Sequence, residues 1–66
     1  MKISKVDSLI ERLEILADNN YYPLEENKEY NALCRFISRK GINDEVDDDD
    51  IMAYYRLILK SIKSYC

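Results

Sequence analysis

The sequence predicts an all-α fold, a small antiparallel three-helix bundle that homodimerisation could complete. Three observations lead there. Apolar residues recur at helical spacing in three separate stretches, and short connections marked by Asn19-Asn20, Pro23 and Gly41 divide them. At 66 residues the chain has room for one domain, residues 1–66, and a domain of that size buries only about 60% of the surface its unfolded chain exposes.

Helix one is predicted over residues 4–19. Ser4 is placed to cap it with Asp7 three residues on, and Val6, Leu9, Ile10, Leu13, Leu16 and Ala17 repeat at the spacing of one helix face. Asn19-Asn20 ends the pattern, and Tyr21-Tyr22-Pro23 makes the connection, since the residue before a proline is pushed away from helical geometry.

Helix two is predicted over 23–40, with Pro23 in its first turn. Glu25, Glu26 and Glu29 come early and Arg35, Arg39 and Lys40 late, the order that complements the helix dipole. Tyr30, Leu33, Cys34 and Ile37 form its apolar face, with Phe36 about 100° off the centre and partly exposed. Gly41 sits where a left-handed cap belongs, and Ile42 is expected to fold back on the last turn.

Residues 42–50 read as an acidic loop holding six carboxylates, whose last aspartates suit the start of helix three, predicted over 49–65. Ile51, Tyr54, Tyr55, Ile58, Ile62 and Tyr65 share a face there, widened by Met52 and Leu59, while Arg56, Lys60 and Lys63 lie opposite. That apolar arc is wider than two small neighbours need, which is the reason to expect self-association. Cys34 falls about 10 Å along its helix and Cys66 about 24 Å along the next, too far apart for the 7 Å or so that a bridge allows, so no intramolecular disulfide is expected.

Composition narrows the function. With 47% hydrophobic and 35% charged residues the chain is richer in apolar groups than a disordered tail and poorer than a membrane span. It holds neither a run of about 18 apolar residues nor a signal-peptide series, so the expectation is a cytoplasmic protein. A bias toward Ile, Lys, Asn, Asp and Tyr is what AT-rich codons produce, and points to a phage, virus or low-GC bacterium and hence to a host-cell cytoplasm. There is no histidine, which removes the commonest general base, the Ser-His and Cys-His couples and most zinc sites. No catalytic residue, cofactor or metal is expected. A calcium loop starting at Asp44 would need glycine sixth and glutamate twelfth, where Asp49 and Tyr55 stand.

The expected role is that of a small acidic, non-enzymatic interaction module, a regulator or inhibitor that binds a basic surface on a partner protein. Asp7, Glu11, Glu14 and Asp18 form an acidic stripe on helix one, bordered by Ile15; apolar anchors beside carboxylates supply affinity and steering respectively. Tyr21 and Tyr22, aromatic residues in a turn, join this contact set, as do Asp44, Glu45, Asp47 and Asp48 of the acidic loop. Tyr30, Tyr55 and Tyr65 are expected at the rim of the core.

A dimeric DNA-binding regulator is the rival reading, using Lys28, Arg35 and Arg39 of helix two and Arg56, Lys60 and Lys63 of helix three. It is less favoured, because the loop between these helices carries −6 and the whole chain −3. A purely structural subunit of a larger assembly is the other alternative. No membrane partner is expected, since an acidic loop is repelled by anionic lipid.

Overall fold

All three periodic stretches are helical in the computed structural model of the chain, which describes residues 1–65. Helix α1 spans Ile3–Asn19, a single 3-10 turn follows at Leu24–Glu26, α2 spans Lys28–Ser38 and α3 spans Asp48–Ser64. The result is a three-helix bundle of 37 × 18 × 16 Å. Helix α3 is central and packs along both α1 and α2, which touch each other little. The starts of α1 and α3 meet at one end and Tyr22 meets Tyr65 at the other, so these two helices run parallel and α2 runs against both.

Most of the core follows the predicted periodicity, and Ile3 and Leu24 join it from outside the predicted faces. Ile3, Val6, Ile10, Leu13 and Ala17 of α1, Leu33 of α2 and Ile51, Ile58 and Ile62 of α3 are buried, together with Leu24 of the 3-10 turn. Leu9, Leu16, Tyr30, Ile37, Tyr54, Tyr55 and Leu59 pack against this centre as half-buried residues. Tyr65, expected at the rim, is 46% exposed and lays its ring edge-to-face against Tyr22, with centroids 5.2 Å apart.

The ends of the helices depart from expectation in four places. Ser4 caps nothing, because α1 begins one residue earlier, and the Ile3 amide donates instead to the Asp44 carbonyl at 3.1 Å. This contact belongs to a small clasp: Lys2 and Glu45 form an isolated antiparallel bridge, the Val46 amide donates to the Met1 carbonyl, and the Met1 amino group donates to the Val46 carbonyl and lies 2.6 Å from an Asp48 carboxylate oxygen.

Helix two does not run from Pro23. A continuous helix would set Leu24 and Leu33, nine residues apart, on opposite sides at about 100° per residue, and only a break lets both face the core. Asn27 makes the break. Its backbone is extended, its Oδ1 accepts from the Tyr30 amide at 2.9 Å as the N-cap of α2, and its Nδ2 donates to the Tyr22 hydroxyl at 2.9 Å.

At the far end, α2 stops at Ser38, and Gly41 is not left-handed; its amide donates to Asp44 Oδ2 at 2.8 Å. Ile42 is 66% exposed and does not fold back on the helix. The one left-handed residue among those described is Tyr21, at φ 55°. It closes α1 in a Schellman arrangement, with the Tyr22 amide donating to Ala17 O at 2.8 Å and the Tyr21 amide to Asp18 O at 3.2 Å. Cys34 is a half-buried free thiol, whereas Cys66 lies outside the described residues.

Candidate functional site

Where the C-terminal half of α1 meets the 3-10 turn and the start of α2, six residues line an open cleft of about 350 Å³: Glu14, Asp18, Tyr22, Leu24, Glu25 and Tyr30. Glu14 and Asp18 sit one above the other on α1, four residues apart. Glu25 comes from the 3-10 turn and Tyr30 from the first turn of α2, so the Asn27 break sets the angle at which the two walls meet. Leu24 is buried at the back, and Tyr22 is held by the amide of Asn27 and the edge of Tyr65.

Three carboxylates therefore share a cleft backed by two phenol rings and a leucine. Among the described residues no lysine or arginine lies within ion-pair distance of them; the ion pair found there joins Met1 and Asp48 at the other end of the bundle. Glu14 accepts a hydrogen bond from the Tyr30 hydroxyl at 2.8 Å, which leaves its remaining lone pairs and the whole of Asp18 and Glu25 open to a cationic donor.

That bond also sets the chemistry of Tyr30. Its phenol holds its proton well above the ordinary tyrosine range, first because burial disfavours the phenolate, then because the hydroxyl donates to Glu14 and neighbours Cys34. Below about pH 10 folded and unfolded chains both keep this proton; above it the unfolded chain loses the proton first, so the Tyr30 contribution to stability falls as pH rises. Tyr30→Phe is expected to flatten the loss of stability above about pH 10 relative to the native chain, read as urea midpoints across the alkaline range. Equal alkaline slopes in the two proteins would show a hydroxyl that titrates in the fold as it does in water.

The structure brings Glu14, Asp18 and Tyr22 of the expected contact set into this cleft, keeps Asp7 and Glu11 on the same face of α1, and separates the acidic loop from them. Asp7 and Glu11 are exposed farther back along α1, and Ile15 is 56% exposed one residue round from Glu14. Tyr21, next in sequence to Tyr22 of the cleft, stands 89% exposed. Asp44, Glu45, Asp47 and Asp48 lie at the opposite end, about the length of α1 or 25 Å away, so the acidic loop and the tyrosine turn are not one surface. Several of these loop residues have local tasks. Asp44 accepts from Gly41, Asp47 caps α3 by accepting from the Asp49 amide at 2.9 Å, and Asp48 pairs with the Met1 amino group. Glu25 and Tyr30 join the cleft through the chain break at Asn27, which no periodicity announces.

The basic residues also separate. Lys28 and Arg35 are exposed on α2 and Arg39 at its C-cap, and Arg35 and Arg39 line a shallow hollow with Phe36. On α3, Leu57 faces the α2 side; Arg56 is turned about 100° and Lys63 about 120° from it, with Lys60 between. The six cations do not form one patch on a single copy.

Among the described residues no helix is long and apolar enough to cross a membrane, and no group of three or more carboxylate or thiol side chains is close enough to hold a metal ion. Comparison of the chain with known protein families, with characterised proteins and with solved structures finds no match in any of the three.

Proposed function

We propose that this chain is a non-enzymatic binding module, a small regulator or inhibitor that holds a basic surface of a partner protein in the cleft between α1, the 3-10 turn and α2. The observation that carries this reading is the gathering of Glu14, Asp18 and Glu25 around Tyr22, Leu24 and Tyr30 with no cation of the described chain beside them. An arginine or lysine side chain suits such a cleft: its aliphatic stem covers the leucine and the tyrosine rings while its charged head meets the carboxylates.

Tyr21 supports the same reading. A left-handed backbone costs a residue with a Cβ about 1–2 kcal/mol, and glycine is the usual occupant of this position in a Schellman motif. The chain instead places a large aromatic there, 89% exposed and next in sequence to Tyr22 of the cleft, where it gains nothing from the core. Strain held at an exposed aromatic is characteristic of a contact residue.

The test is an NMR titration of the full chain with an arginine-rich decapeptide and, separately, a short DNA duplex. With the peptide, amide shifts are expected at Glu14, Asp18, Tyr21, Tyr22, Glu25 and Tyr30, and are lost in Glu14→Lys/Asp18→Lys. Tyr21→Gly is expected to stabilise the fold by about 1 kcal/mol and to weaken peptide binding. Shifts confined to Lys28, Arg35 and Arg39 on adding duplex, with none from peptide, would replace this reading by DNA binding.

A further inference from the structure

A second surface, on the other side of α2, is built differently. A groove of about 390 Å³ runs between α2 and α3, lined by Phe36, Ala53, Tyr54 and Leu57 with Asp50 at one end. Phe36 is also the wall of a hollow of about 280 Å³ formed with Ala32, Arg35 and Arg39. Its ring is thus a ridge, with guanidinium groups on one flank and an apolar groove ending in a carboxylate on the other. The Lys40 ammonium lies over the ring itself, 5.5 Å from its centroid. Phe36 and Leu57 are 37% and 51% exposed, a pair of large apolar side chains beside one groove of a very small domain.

We propose that this face pairs with the same face of a second copy of the chain, about a two-fold axis running along the groove. Because the axis is parallel to the helices, it lays α2 of each copy along α3 of the other without changing height along the bundle. Phe36 lines the groove with Ala53, Tyr54 and Leu57 in its own chain, so in the dimer it arrives level with those residues of the second copy. Arg39 lies about one turn beyond Phe36 along α2, and Asp50 one turn before Tyr54 on the antiparallel α3. The two therefore reach the same level, and each Arg39 meets the other copy's Asp50.

Charge decides the choice of occupant. A uniformly basic partner would be repelled by Arg35, Arg39 and Lys40, and a uniformly acidic one by Asp50 and its neighbours Asp48 and Asp49 in the first turn of α3. A surface cationic on one flank of an apolar ridge and anionic on the other is complementary to itself under this rotation. The cleft at Glu14 and Glu25 remains open in such a dimer, so the two proposals stand or fall separately.

The test is sedimentation equilibrium of the full chain up to about 1 mM, the range a weak interface requires. The native chain is expected to approach twice its monomer mass. Arg39→Asp and Asp50→Arg should each weaken the dimer about tenfold or more, and the two changes together should restore it, because the pair is re-formed with the charges exchanged. Phe36→Glu should give a monomer, with far-UV circular dichroism confirming that each variant is folded. A native chain that stays monomeric at the top concentration overturns the proposal, as does a dimer indifferent to all three single changes.

Discussion

Ile58→Ala is expected to lower the stability of the domain by about 2–5 kcal/mol, the range for truncating a buried isoleucine where the cavity cannot fully collapse. Ile58 is 0% exposed and lies near the middle of α3, the one helix that packs along both of the others, so a void there opens between two interfaces at once. A domain of this length has a total stability of about 3–10 kcal/mol at the usual range per residue. The substitution therefore removes a large part of the whole, and a sizeable fraction of the variant should be unfolded at 37 °C. Urea denaturation followed by far-UV circular dichroism reads the loss directly. Ile15→Ala, at a residue of α1 that is 56% exposed, is the control and should change stability by no more than about 0.5 kcal/mol. If the two substitutions had equal effects, α3 would not be the centre of the core.

Asn27→Ala is expected to cost about 2 kcal/mol and to disturb the cleft as well. Asn27 is the one buried polar residue among those described, at 5% exposure, and uses both ends of its amide: Oδ1 caps α2 and Nδ2 holds the Tyr22 hydroxyl. Loss of an N-cap costs about 1 kcal/mol, and loss of a partly buried side-chain hydrogen bond about the same. Asn27→Ser separates the two, since its hydroxyl can still accept from the Tyr30 amide but is too short to reach Tyr22; it should recover about half the loss. Without the cap the helix is free to extend back toward Pro23, which swings Leu24 out of the core and carries Glu25 away from Glu14 and Asp18. Asn27→Ala should therefore weaken binding of the arginine-rich peptide more than Asn27→Ser does. An alanine variant as stable as the native chain would mean that neither hydrogen bond holds the break.

Much of the molecule is readable along the chain. The apolar positions named from spacing in α1, and those named in α3 other than Met52 and Tyr65, pack together, because burial on a helix is a matter of angle around one axis and the sequence prints that angle residue by residue. The start of α3 within the aspartate run is equally legible, since capping and dipole effects act within one turn. Legibility fails where the determining contact is distant in sequence. Ser4 has the chemistry of a cap, yet the first amide of α1 is satisfied by the Asp44 carbonyl, some forty residues away. Gly41 has the freedom for a left-handed cap and does not use it, while Tyr21 lacks that freedom and takes the conformation.

By itself, then, the sequence determined the class of the fold, the number of helices, their buried faces and the absence of histidine chemistry. These depend on local periodicity and on composition. Only the tertiary structure decided which of the acidic and aromatic residues share a surface. Periodicity fixes directions within one helix; the angle between helices comes from long-range packing, here the need to bury Leu24 and Leu33 together, and that angle is what set Glu14 and Asp18 facing Glu25 and Tyr30 while leaving the acidic loop at the opposite end.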